Sequence, residues 1–238
     1  MKKVTKYLNI IAAVFFACNA ITTSAQDTIE TSLKTDFVSQ YIWRGNDLGH
    51  VSVQPELGLS WKGLSIGAWG SVGLSNADDF RELDLTLAYE TGNLSLGIVD
   101  YWSDCDDSRY FYYKVPGTGH SFEGFVGYDF GPLAVSWQTV FAGSDHRESD
   151  DKRTYSSYFE LTAPFQLASC EWQAAVGLVP WEAAYYATSG FAVTNLSLRA
   201  TKDIKVTDTF SLPLFGELVA NPHSQHFYFV AGITLRVL

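Results

Sequence analysis

From Thr28 to Leu238 apolar and polar residues alternate with a period of two, with no helical period, and Gly, Asn, Asp or Pro interrupts the alternation about every ten to fifteen residues. Val51, Val53, Pro55, Leu57, Leu59 and Trp61 share one face, and Ser52, Gln54, Glu56, Gly58 and Ser60 share the other. The same split sets Leu83, Leu85, Leu87 and Tyr89 against Glu82, Asp84, Thr86 and Glu90, and Trp172, Ala174, Val176 and Leu178 against Glu171, Gln173, Ala175 and Gly177. It also sets Thr194, Leu196, Leu198 and Ala200 against Asn195, Ser197 and Arg199. Twelve segments carry the pattern, at 28–45, 51–62, 64–75, 80–90, 94–103, 119–130, 133–143, 153–163, 170–181, 191–202, 210–220 and 225–238. An even count of such strands predicts an all-β chain folded as a transmembrane, antiparallel, up-and-down β-barrel of about 12 strands.

The connections support this reading. Lys62-Gly63, Thr91-Gly92-Asn93, Gly131-Pro132 and the stretches 164–169 and 203–209 are short or moderate, and they alternate with 46–50, 76–79, 104–118, 144–152, 182–190 and 221–224, several of which are long and polar. Membrane barrels of Gram-negative bacteria place short turns in the periplasm and long loops outside. A secreted β-sandwich would also alternate, but its polar faces meet bulk water. Here the polar face is rich in Gly, Ser and carboxylates rather than Lys. The apolar face carries aromatics near segment ends, as an interfacial girdle would: Trp43, Trp61, Tyr89, Trp102, Tyr128, Phe130, Trp137, Phe141, Tyr155 and Trp172.

At the N-terminus, Lys2, Lys3 and Lys6 precede an apolar run from Tyr7 to Ala17 and then Thr23-Ser24-Ala25, the order of a signal peptide over residues 1–25, leaving residues 26–238 as a single outer-membrane barrel domain. Phe15-Phe16-Ala17-Cys18 makes a poorer lipobox, because Phe15 stands where a Leu-like residue is expected. With 16 Lys+Arg against 26 Asp+Glu and a net charge of −10, the chain lacks the basic surface that nucleic acid requires. The expected partners are outer-membrane lipid, small solutes or ions, and the barrel assembly machinery. Cys105 belongs to a long loop and Cys170 to a short turn at the other end, so the two are expected not to pair.

The run Ser39-Gln40-Tyr41-Ile42-Trp43-Arg44-Gly45 resembles the opening signature of the TorF-type porin family of small outer-membrane barrels, with Gln40 where that family commonly has Asp. Pro55, Glu82-Leu83-Asp84 with Tyr89, Gly97 and Tyr101, and Phe122-Glu123 with Gly127 are similar to its later motifs, so the likeness covers roughly the first half of the chain after the signal. The resemblance implies a porin-like channel.

Read by parity, the inner face carries Lys34, Asp36, Arg44, Glu56, Glu82, Asp84, Glu123, Asp129, Glu160, Glu171, Arg199, Glu217 and Arg236 as pore-lining charges, nine acids against four bases. Such a lining predicts an outer-membrane channel for passive diffusion of small solutes or ions, preferring cations. The alternative is a barrel plugged by pairing Arg44, Arg199 and Arg236 with those acids, serving as a structural, adhesion or receptor protein. A lipid hydrolase is the weaker alternative: His223-Ser224-Gln225-His226 places a hydroxyl beside imidazoles without a Gly-x-Ser-x-Gly elbow. All five histidines fall in expected outer loops, and the Asp104, Asp106, Asp107 cluster fails as a calcium loop because Arg109 and Val115 occupy the required Gly and Glu positions. No catalytic residue, metal or cofactor is expected.

Overall fold

The computed structural model describes residues 28–75, 79, 81–104, 108–115, 117–208 and 210–237. The expected signal peptide with Cys18, Cys105, Asp106, Asp107 and Leu238 lie outside the described residues. Among the described residues, period-two alternation becomes fourteen strands. In chain order they are β1 (Glu30–Val38), β2 (Tyr41–Trp43), β3 (Asn46–Gly49), β4 (Ser52–Trp61), β5 (Leu64–Gly73), β6 (Glu82–Thr91) and β7 (Leu94–Ser103). There follow β8 (His120–Asp129), β9 (Ala134–Gly143), β10 (Ser157–Leu167), β11 (Cys170–Val179), β12 (Ala192–Lys205), β13 (Ser211–Asn221) and β14 (His226–Arg236).

Twelve of these close into one antiparallel barrel in the order β1-β14-β13-β12-β11-β10-β9-β8-β7-β6-β5-β4, so every neighbour but the closing pair and β1·β4 is a hairpin partner. β1 closes the cylinder against β14, with Lys34 opposite Arg236 and Val38 opposite Gly232. Closure leaves no unpaired edge, which is how backbone polar groups are satisfied inside a bilayer. The outer face presents Leu85, Leu87 and Tyr89 on β6, Leu96 and Ile98 on β7, and Phe227 and Phe229 on β14, the last two 67% and 61% exposed. The polarity is that of a membrane barrel, apolar outside and wet inside, and it excludes the sandwich with its dry central core.

The remaining two strands correct the first expected segment. Residues 28–45 do not form one strand followed by a 46–50 loop: β1 ends at Val38, and β2 and β3 form a separate two-stranded sheet, Trp43 opposite Asn46. Arg44 (φ 50°) and Gly45 (φ 82°) make its two-residue turn. The hairpin folds into the barrel at the long-loop end. The dry core of the molecule is there: Tyr158, Val179, Ala183 and Tyr186 pack with Trp43 and Tyr185, and Val38, Phe215 and Val230 pack with Ile42. Trp43 is therefore not part of the lipid-facing girdle.

Two strands outrun their expected limits. β10 continues to Leu167 where 164–169 was expected to be a connection, and β12 continues to Lys205. The β10–β11 turn is only Ala168-Ser169, both left-handed (φ 52° and 59°), with Leu167 opposite Cys170. Such turns favour Asn-Gly, since a side chain in that region costs about 1–2 kcal/mol. Ala168→Asn with Ser169→Gly should raise the unfolding free energy by about 1–2 kcal/mol, measured by urea titration in lipid vesicles. No change would show that the turn is unstrained. Cys170, which opens β11, is free among the described residues.

Candidate functional site

The inserted hairpin is held by Arg44. Its Nη1 and Nη2 donate to the two carboxylate oxygens of Glu123 on β8, at 2.6 and 2.8 Å, and Nη1 also donates to the Tyr186 hydroxyl. The guanidinium lies over the rings of Trp43 (4.3 Å) and Tyr158 (4.7 Å). A flat cation suits this position because it stacks and forks at once. Glu123 is only 1% exposed and also accepts from the Tyr101 hydroxyl at 2.9 Å. Tyr185 and Tyr186 come from a short 3-10 turn (Ala184–Tyr186) that dips in from the β11–β12 loop, so hairpin and loop meet inside the barrel.

Glycine fixes how close the hairpin can sit. A Cβ on Gly45 would lie 1.8 Å from the Thr194 carbonyl oxygen, and Asn221 Nδ2 donates to the Gly45 carbonyl at 3.1 Å. Thr194 is completely buried at a register shift where Gly177 pairs with Asn195 but Leu178 pairs with Val193. That bulge turns Thr194 out of the lipid-facing row in which simple alternation puts it with Leu196.

The other charges expected to line the pore lie on barrel strands. Lys34 pairs with Glu56 (2.9 Å) and Arg199 with Glu217 (3.7 Å), with the Arg199 guanidinium over Phe215. Glu82 accepts from the Tyr41 hydroxyl of the hairpin (2.8 Å), Asp36 from Thr234 (2.5 Å), and Glu160 from Tyr158 (2.6 Å). Asp84 stands opposite Trp69 and Tyr101, and one of its buried oxygens has no hydrogen-bond partner among the described residues. Glu171 stands opposite Thr201, Arg236 opposite Lys34, and Asp129 caps the Gly131 N–H.

Below the hairpin the lumen is open and largely polar. One cavity of about 520 Å³ is lined by Glu30, Ser32, Glu56, Ser60, Ser65, Trp69 and Thr86, and another of about 350 Å³ by Glu90, Ser95, Asp129, Ser136, Glu160 and Thr162. Parity alone gives no indication that the two ends of the lumen would differ so much.

The histidines divide. His120 and His226 head β8 and β14 rather than lying in loops. His120 is fully buried, Nδ1 2.8 Å from Asp100 and Nε2 2.6 Å from the Tyr110 carbonyl, with Tyr113 stacked on it. His226 Nδ1 meets Ser224 Oγ at 3.1 Å in an exposed turn, and no carboxylate joins them among the described residues. His50, between β3 and β4, has Nδ1 2.9 Å from Asp79. The hydrogen bond to Asp79 and the charge of that carboxylate raise its pKa above 6.5. A raised folded value means the contact is fully present below about pH 6.5 and is lost as pH rises through the raised value. Asp79→Asn should move the His50 midpoint, followed by ring-proton NMR, down toward 6.5, and an unmoved midpoint would refute the pairing.

A closed antiparallel barrel with an apolar exterior and a charged, partly filled lumen defines the chain as a transmembrane β-barrel protein. No family model matches the chain, and no curated protein matches it. Among solved structures it is similar to one described as Salmonella typhi OmpF in complex with daunomycin, with 10% identity and a TM-score of 0.37 over 89% of this chain and 98% of that one.

Proposed function

We propose that the protein is a narrow, porin-like channel of the Gram-negative outer membrane that passes small solutes or ions, prefers cations, and takes its bore from the inserted β2–β3 hairpin. The observation that carries this is the uneven charge of the lumen. Three of the four expected bases are matched, Lys34 by Glu56, Arg44 by Glu123 and Arg199 by Glu217. Asp36, Glu82, Asp84, Asp129, Glu160 and Glu171 then face Arg236 as the one base left of that set. Unmatched carboxylates around a narrow wet path lower the energy of a cation there and raise that of an anion. The likeness of residues 39–45 to the TorF-type signature and the outward apolar band support the same location and class.

Planar-bilayer recording of the purified barrel under a salt gradient tests this. The reversal potential should favour cations, and the preference should weaken as salt is raised, because exposed charges are screened over about 8 Å at physiological ionic strength. Glu82→Gln with Asp84→Asn should reduce it. A reversal potential favouring chloride would overturn the reading. The second reading is a closed barrel, favoured by the fully paired Arg44 and the dry clusters around it; its signature is a silent wild type.

A further inference from the structure

Parity sorts β7 and β8 between the two sides of the wall. Leu96 and Ile98 face outward, while Tyr101 reaches Glu123 inside. Asp100 and Trp102 therefore belong to the outer row of β7, where Asp100 stands opposite the outward Leu85 of β6 and opposite Phe122 of β8, and His120 heads the same outer row as Phe122. A charged pair on the lipid side of a barrel is costly unless something covers it. Here the segment 108–115 does so. His120 has no exposed side-chain surface and Asp100 keeps only 17% of its own. The Tyr110 carbonyl meets His120 Nε2, the Tyr110 ring meets Trp102 edge to face at 5.4 Å, and Tyr113 stacks on His120 at 4.2 Å. A segment that covers outward-pointing side chains lies on the outside of the wall, beside the lipid-facing row, rather than across the mouth.

This segment presents rings and bases to its surroundings. Phe111 is 88% exposed, and Tyr112 and Tyr113 are exposed beside it. Arg109 and Lys114 flank the three rings, both exposed, and neither enters an ion pair among the described residues. Residues 108–115 thus hold two bases and no acid in a chain of net charge −10. Aromatic rings settle at headgroup level, and Lys and Arg beside them bind anionic lipid.

We infer that residues 108–115 form an external strap that docks on the bilayer surface, with Phe111 and Tyr112 in the headgroup layer and Arg109 and Lys114 on the phosphates of anionic lipid. The occupant is a lipid rather than free phosphate, because the exposed rings leave water only where a bilayer lies beside them. It is anionic rather than zwitterionic, because a zwitterionic headgroup carries its own cation against its phosphate. The inference goes beyond the channel reading and needs only a barrel set in a bilayer, whether or not the lumen conducts.

The test places one fluorophore beside the strap. Val115→Cys, in a chain carrying Cys18→Ser, Cys105→Ser and Cys170→Ser, is labelled with an environment-sensitive dye and refolded into phosphatidylcholine vesicles. These contain the same mole fraction of nitroxide-labelled phosphatidylglycerol or nitroxide-labelled phosphatidylcholine. Lipid nitroxide should quench the dye strongly and aqueous iodide weakly, and labelled phosphatidylglycerol should quench as though enriched about fivefold for each of the two bases. Arg109→Gln with Lys114→Gln should bring the two lipids to equal quenching, and Phe111→Ser should raise quenching by iodide. Heat-modifiable migration in electrophoresis reports that each variant is folded, and the comparison of the two lipids without these further substitutions decides the matter by itself. Strong quenching by iodide with little from either lipid would place the strap in water and overturn the inference. Equal quenching by the two lipids would overturn the anionic partner. Loss of the phosphatidylglycerol advantage in inorganic phosphate, but not in chloride of the same ionic strength, would assign the two bases to free phosphate instead.

Discussion

Arg44→Ala is expected to release the hairpin, lowering stability by about 3–5 kcal/mol and raising conductance. The substitution removes both charged hydrogen bonds to Glu123, the bond to Tyr186, and the stacking on Trp43 and Tyr158. What remains is a Glu123 carboxylate 1% exposed to solvent, with Tyr101 as its hydrogen-bond donor. An ionised group stranded in this way costs far more than an absent pair, because it has lost water and has no counter-charge. The double variant Arg44→Met with Glu123→Met removes both charges and should recover most of the stability while keeping the hairpin in place. Urea unfolding in vesicles measures the first quantity and single-channel recording the second. Wild-type stability and conductance in Arg44→Ala would show that this pair does not hold the hairpin. A silent wild type with a conducting Arg44→Ala would establish the closed barrel instead of the narrow channel.

Gly45→Ala should be comparably disruptive through sterics alone. The position is left-handed at φ 82°, and the added methyl group would lie 1.8 Å from a backbone oxygen, that of Thr194, which cannot swing aside as a side chain would. Strain in the left-handed region and overpacking together cost about 3 kcal/mol or more, and the hydrogen bond from Asn221 to the Gly45 carbonyl is displaced as well. Gly92→Ala provides the control: it is also left-handed (φ 58°), but nothing lies within 4 Å of its added carbon, so only about 1 kcal/mol is expected. Similar losses for the two variants in the same unfolding assay would mean that Gly45 is not a docking point.

The barrel could be read from the sequence because lipid outside and water inside impose the same two-residue period on the barrel strands, and Leu83 to Tyr89 and Trp172 to Leu178 show it with only Ala88 and Ala175 as small apolar residues on the inner parity. The hairpin could not. Tyr41 and Trp43 keep the parity of a lipid-facing row, and the change from membrane wall to interior insert depends on Arg44-Gly45, a two-residue turn that lacks the Asn-Gly of common hairpins. Ala168-Ser169 hid the end of β10 for the same reason. Thr194 was misplaced because a bulge adds one residue to a strand without leaving a residue type that marks it. Lys34 with Glu56 and Arg199 with Glu217 share a face by parity, and each pair meets in an ion pair. That Arg44 meets Glu123, 79 residues away, depends on a fold-back that periodicity does not encode.

That separation in sequence dictates an order of events. The hairpin belongs to the first quarter of the chain, yet its anchors are Glu123, Thr194 and Asn221, the last 176 residues downstream of Gly45. Contacts so distant along the chain carry a loop-closure cost that shrinks once the intervening chain is paired. Strands β12 and β13 carry Thr194 and Asn221, so their pairing builds the surface on which the Arg44-Gly45 turn rests. The barrel wall is then expected to close before the hairpin settles into it.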